Sequence, residues 1–193
     1  MSRTIKIAGL DMTMSNLGAA RFLYDIDTGA VTLDDAFLIT TERNDRKLVR
    51  ANSDDLRRSQ EIKAGVDRIS AGCAFICAEV PSGSQSAGAA KSFGVALGIL
   101  ASLPSEKLIQ VMPTETKLAS VGGKTAKKPE IIAWAAASYP QAPWLTYEKR
   151  TKNHAAGDLH EDNEHMADAC AVIHAGLRTD EFKRAISILK RDQ

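Results

Sequence analysis

A chain of 193 residues, 44% hydrophobic and 25% charged, has the size and make-up of a single soluble globular domain spanning 1–193. No apolar run is long enough to cross a bilayer, which excludes a membrane-spanning class, and residues 1–4 are expected to lead straight into a strand with no room for a signal peptide. A formal net charge of +1 selects no class of partner.

The first element is predicted as a strand in which Ile5, Ile7 and Leu10 supply the apolar pattern and Asp11 sits at the C-terminal end. A turn rich in hydroxyl and amide groups, 12–16, follows. Two more strands are expected at 17–26 and 31–40, joined by the short turn Asp27-Thr28-Gly29. Beyond a polar loop at 41–50, Ser53 reads as the N-cap of a helix carrying Leu56, Ile62, Val66 and Ile69, with Ala71-Gly72 as its stop. The apolar run 73–80 reads as a buried parallel strand reached by a helical crossover. A small-residue loop leads into an Ala/Gly-rich helix, 87–103, expected to pack closely on its neighbours.

A further strand is expected at 108–112, then a short helix at 113–120 with proline in its first turn. The next helix, 129–138, is apolar at Ile131, Ile132, Trp134 and Ala135. Residues 139–164 read as a long, irregular, solvated loop, functional or mobile for its length. Its His154, Asp158, His160 and Asp162 have no cysteine partner to make a zinc site. An amphipathic helix at 164–177 and a last one within 179–193 close the chain. Cys73, Cys77 and Cys170 stand in apolar surroundings without metal-type spacing and read as buried thiols of a reducing compartment. Three antiparallel strands followed by parallel ones make an α/β fold, a mixed five-stranded sheet flanked by helices on both faces. That is a ribonuclease H-like arrangement.

Certain acids stand where a core has no use for them. Glu79 ends the apolar run 73–80, and a buried carboxylate is costly unless it is paired or holds a metal. In this topology the first and fourth strands are neighbours, so Asp11, which by itself reads equally as a turn-former, would project beside Glu79. Two adjacent carboxylates repel unless a cation lies between them. His165 and Asp168 stand three apart on one face of the late helix, with Asp168 turned toward packed structure. Hard oxygen donors with one imidazole favour Mg²⁺ or Mn²⁺ over Zn²⁺, and two such ions about 4 Å apart support phosphodiester hydrolysis. From 117 to 152 there are seven basic residues, Lys117, Lys124, Lys127, Lys128, Lys149, Arg150 and Lys152, against the two acids Glu130 and Glu148. Such a local excess beside Gly122-Gly123 suits a phosphate backbone.

Four blocks in order, GLDMTMSNLG, AEVPSGSQSAGAAKSFGVALGIL, MPTETKLASVGGKTAKKPEI and EHMADACAVIHAGL, give the chain a resemblance to the RuvC-type Holliday junction resolvases, in particular divergent phage-like members. The resemblance implies a homodimer that binds four-way and other branched DNA and makes paired nicks in strands of like polarity. It needs no small-molecule cofactor and no membrane, and it works in the cytoplasm of a bacterial or phage-infected cell. It implies metal positions at Asp11, Glu79, His165 and Asp168 for two Mg²⁺ ions, with Mn²⁺ as a substitute, and Asp11 shared between them. Many members carry an aspartate where this chain has His165. Lys117 and Lys128 match basic residues beside the active site, with Lys124 and Lys127 close by. Many bacterial members stack an aromatic residue on junction bases from the loop after the glutamate. Here that loop, 80–85, has none, and Ser82, Ser84 and Gln85 suit contacts to the DNA backbone instead. The rim 12–16 is expected to face a DNA phosphate.

Three rivals share features with this reading. A sugar-kinase or actin-like ATPase needs two copies of the fold, and 193 residues hold one. Another ribonuclease H-like nuclease, transposase or integrase would share the acids but not the His165/Asp168 pair or the preceding basic block. A non-catalytic junction-binding protein would not need competent residues at all four ligand positions.

Overall fold

The computed structural model describes residues 3–191, apart from 46, 82, 84 and 85. Ser82, Ser84 and Gln85, expected at the DNA backbone, therefore lie outside the described residues. Five strands, β1 (Thr4–Met12), β2 (Asn16–Asp25), β3 (Val31–Thr40), β4 (Phe75–Glu79) and β5 (Leu108–Val111), form one sheet in the order β3-β2-β1-β4-β5. β1, β2 and β3 pair antiparallel, while β4 runs parallel to both β1 and β5. Asp25 Oδ1 accepts from the Asp27 and Thr28 N–H groups at 2.9 Å, and Gly29 takes the left-handed conformation (φ 76°) that closes the β2–β3 turn. The sheet is the mixed, five-stranded sheet of the ribonuclease H-like fold.

Among the described residues six α-helices cover its faces: α1 (Ala51–Ser70), α2 (Ala87–Ala101), α3 (Pro113–Ser120), α4 (Lys128–Ser138), α5 (Glu164–Gly176) and α6 (Asp180–Arg191). Strand alternation sorts the side chains into two cores. Ile7, Phe22 and Cys77 pack with Met166, Cys170 and Ile173 of α5 and Phe182 of α6. Ala8, Leu10, Leu17 and Ile76 pack on the other side with Ile62, Val66 and Ile69 of α1 and Ile99 and Leu100 of α2. All three cysteines are free and buried, and burial raises the Cys77 and Cys170 thiols to about 12.

Three local expectations need correction. Helix α1 begins at Ala51 with Arg50 as its cap, so Ser53 lies inside the first turn and caps nothing. The start is fixed instead by buried Asp54, which accepts from the Asn44 N–H and side-chain amide and pairs with Arg57. Helix α2 does not pack closely on its neighbours. It buries Ala96, Ile99 and Leu100, while a side chain added at Gly94 or Gly98 would meet open space. Helix α5 is not amphipathic. From Met166 to Gly176 it is buried nearly all round, between the sheet on one side and α3 and α4 on the other.

The connection 139–164 is a mostly exposed loop with no regular strand among its described residues, but a few backbone bonds tie its middle into a hairpin. Thr146 bridges Leu159 antiparallel, and backbone bonds join Tyr147 to Asp158 (2.9 Å), Gly157 to Tyr147 (2.8 Å) and His160 to Leu145 (2.9 Å). Its base is clamped by fully buried Asn163, whose side chain both accepts from the Leu145 N–H and donates to the Leu145 carbonyl at 2.8 Å. His154 stacks on Tyr147 with ring centroids 4.3 Å apart, and His160 packs on the same ring at 4.5 Å. The two histidines thus build the hairpin's own aromatic cluster.

Candidate active site

The site grows from strand register. In the parallel pair, Leu10 lies opposite Ala78, so the next residue on each strand, Asp11 and Glu79, emerges at the same carboxyl edge. Alternation puts Leu10 and Ala78 in the α1/α2 core, which turns both acids to the α5 face. Glu79 is oriented by Thr116 of α3, whose hydroxyl donates to Oε1 at 2.6 Å. Burial pushes the Glu79 carboxyl upward from its ordinary range. The Thr116 bond opposes that shift and neighbouring Asp11 adds to it.

Helix α5 reaches these acids because two strand positions lack a Cβ. A Cβ at Gly9 would stand 2.2 Å from the Ala169 carbonyl, and one at Gly18 only 1.9 Å from the His165 carbonyl. Gly18 is the antiparallel partner of Asp11, so the closest approach of α5 falls beside that carboxylate. There His165 Nδ1 lies 2.6 Å from Asp11 Oδ2. Burial works against an imidazolium at His165, but the Asp11 bond, with Glu164 and Asp168 nearby, outweighs it and the net shift is upward. One turn along, Asp168 is pushed up to about 7 by burial first and then by Asp11, Glu79 and Glu164. Three carboxylates and an imidazole therefore feel one another at the edge of β1 and β4.

Cations border this group. Lys117 and Lys128 line a cleft of about 140 Å³ together with Glu79, Thr116 and Asp168. Lys128 also bonds Glu164 at 2.6 Å, which raises its pKa above the ordinary lysine value. Lys124 and Lys127 are exposed on the connection between α3 and α4, outside that cleft.

Among the described residues no three His, Cys, Asp or Glu side chains are drawn together as a ready-made metal-binding group. The donor set and its electrostatics nevertheless fit a hard divalent cation. It consists of three carboxylates and one imidazole, with Asp168 and Glu79 both raised first by burial and then by the acids they face. A cation among them would relieve the repulsion that adds to burial in raising Asp168 to about 7.

The rim at 12–16 is braced from within. Met12 and Met14 are buried, and the Thr13 hydroxyl accepts from the Ser15 and Asn16 N–H groups. Ser15 Oγ accepts from Arg58, which is 2% exposed and also donates to Thr41 Oγ1. The hydroxyls therefore brace the turn after Asp11, while half-exposed Asn16 lines a cavity with Glu164 and His165. Arg58, Thr116 and Glu164 are the residues that sequence reasoning missed. Thr116 had a local signal, a hydroxyl one position before Lys117, whereas Arg58 lies on a helix whose basic residues read as solvent-facing.

The fold and the acids at its sheet edge define a ribonuclease H-like protein with a carboxylate-rich site. No protein-family model matches the chain, and no curated protein matches it. Among solved structures it is similar to Thermus thermophilus RuvC in complex with a Holliday junction substrate. That match has TM-score 0.59 and 19% identity, over 89% of this chain and 92% of that one. A second T. thermophilus RuvC structure matches with TM-score 0.57 and 20% identity, over 93% and 96%. A Fowlpox virus resolvase in complex with Holliday junction DNA lies further off, with TM-score 0.46 and 14% identity over 95% and 98%.

Proposed function

We propose that this chain is a Mg²⁺-dependent, structure-selective DNA endonuclease that resolves four-way junctions and related branches by paired nicking, as a homodimer. The observation that carries the reading is the Asp11–His165 contact at the sheet edge, with Glu79 and Asp168 close enough to influence one another's charge, on the same fold as a protein whose structure includes a Holliday junction. Asp11, Glu79, His165 and Asp168 would hold two Mg²⁺ ions, with Mn²⁺ as a substitute. Bound there, the metal would supply an activated water and neutralise charge at a scissile phosphodiester.

The chain's own residues do the remaining work. Thr116 fixes the rotamer of Glu79, and Asp11 fixes the ring of His165. Lys117 and Lys128 border the cleft where a phosphate would lie and offset its charge. Lys124 and Lys127, exposed beside them, extend the grip along the backbone. The open face of α2, with Gly94, Gly98 and half-exposed Leu97, supports a seam between two copies. The reading places its work in the cytoplasm as one 1–193 domain; among the described residues no helix is long and apolar enough to cross a membrane.

The test is a panel of labelled substrates, comprising a four-way junction, a flap, a Y-structure and a linear duplex, with cut positions mapped on every strand. Symmetric nicks near the branch in the junction are expected, with the duplex left whole. Equal cutting of duplex and junction would make the protein an unselective nuclease. Tight junction binding without any nick would favour the non-catalytic alternative.

A further inference from the structure

Beside the carboxylate cleft lies a second cavity of about 410 Å³, between α4 and the 145–160 hairpin. Its apolar walls are Pro129, Ile132 and Leu159, and His154, with its ring stacked on Tyr147, completes the lining. Lys128 borders both this cavity and the cleft that holds Glu79 and Asp168, so the two are adjacent. Glu164 also lines the cavity while standing 3.7 Å from His165 Nε2. An occupant would therefore sit within one side chain of the proposed metal ligands.

The chemistry of the walls narrows the occupant. A phosphate is disfavoured, because this cavity presents two carboxylates, Glu161 and Glu164, against the one ammonium of Lys128. A flat, neutral group with an apolar face and amino edges matches better. The hydrophobic surface and the His154 ring take the face, and the carboxylates accept from the edge. The volume is in the range of small-molecule pockets and accommodates a nucleobase with room for its sugar. The same hairpin exposes Lys149, Arg150 and Lys152, a cationic tip suited to the flanking phosphates.

We infer that this cavity receives one unpaired nucleobase of the branched DNA next to the nick, resting on the nuclease reading above. The hairpin then performs a task for which the 80–85 loop has no aromatic side chain, namely to hold a base out of the stack. Unpairing costs least at a branch point, so a base pocket beside the metal ligands favours branched over linear DNA.

The test places 2-aminopurine at each branch-point nucleotide of a four-way junction. Its fluorescence is read on binding in EDTA, so that the DNA stays intact. Wild-type protein is expected to raise the signal at one position near the mapped cut. His154→Ala, which removes the ring, and Leu159→Trp, which fills the cavity, should each abolish most of that rise. His154→Ala should also weaken junction binding about tenfold, the scale of one aromatic–base stack. Circular dichroism melts check that both variants are folded. Protein that binds and cuts the junction but shows no rise at any position, or a rise unchanged in both variants, overturns the base pocket and leaves the nuclease reading standing. Protein that binds no branched DNA overturns the nuclease reading and the pocket with it.

Discussion

Helices α5 and α2, on opposite faces of the sheet, use the same small residue in opposite ways. Under α5, Gly9, Gly18 and Gly176 exist because there is no room for a Cβ, with backbone or Cys77 Sγ between 1.9 and 2.3 Å from where one would stand. On α2, Gly94 and Gly98 have nothing within 4 Å, and Leu97 is 50% exposed. The first set holds a helix rigidly against strands so that His165 meets Asp11. The second leaves a helix face without a neighbour. Tight packing lies where chemistry needs fixed geometry, and loose packing where the proposed reading puts a second copy.

The largest expected effect comes from breaking the tight face at its chemistry. Glu79→Gln or Asp168→Asn keeps shape and removes charge, and single-turnover cleavage of a four-way junction should fall by about a thousandfold or more. Gel-shift affinity should stay within about threefold, since phosphate contacts dominate it. A variant that still cuts at more than a tenth of the wild-type rate would remove its residue from the site.

Next is the acid sensitivity of the same face. Burial, with Arg178 nearby, lowers His174 to about 4, and its Nε2 lies 2.5 Å from the Tyr139 hydroxyl. The unfolded chain takes up this proton near pH 6.5, whereas the folded one resists to about 4, so the unfolded state binds more protons between them. Stability should therefore fall as pH drops through that window, by about 3 kcal/mol from this group, and stay level with respect to it above pH 7. Urea unfolding of wild type and His174→Gln between pH 4 and pH 7 measures the difference. Parallel pH profiles for the two would mean that His174 is not held neutral.

The direct comparison of the faces is Gly18→Ala against Gly94→Ala. The first forces a methyl into the His165 backbone, and should cost about 2 kcal/mol and displace the imidazole from Asp11. The second places a better helix former in open space, and should stabilise by less than about 1 kcal/mol. Equal destabilisation by both in urea titrations would erase the distinction between the faces. A loss of self-association by Gly94→Ala, seen by sedimentation, would sharpen it.

Much of this was legible in the sequence. Strand alternation and the apolar runs gave all five strands, the topology put Asp11 next to Glu79, and the i, i+3 spacing put His165 and Asp168 on one side of α5. What the sequence hid depends on long-range contact. Ser53 has the right side chain for a cap, but the Asn44–Asp54 bonds set the helix start earlier. The hairpin at 145–160 lacks the alternating pattern of a strand pair, because Asn163 and the Tyr147 ring cluster hold it together. Thr116 and Arg58 act through partners 37 and 43 residues away, so even the hydroxyl beside Lys117 does not by itself name its partner.

The central claim is that Asp11, brought to Glu79 by register and to His165 and Asp168 by α5, anchors a metal-dependent cut. The most direct measurement incubates a synthetic four-way junction with wild-type and Asp11→Asn protein, each with Mg²⁺ and with EDTA, and reads nicking and binding in parallel. Paired nicks by wild type with Mg²⁺, none in EDTA, and none by an Asp11→Asn protein that still binds are the predicted results. Nicks that persist in Asp11→Asn, or a junction left whole by wild type with Mg²⁺, would contradict it.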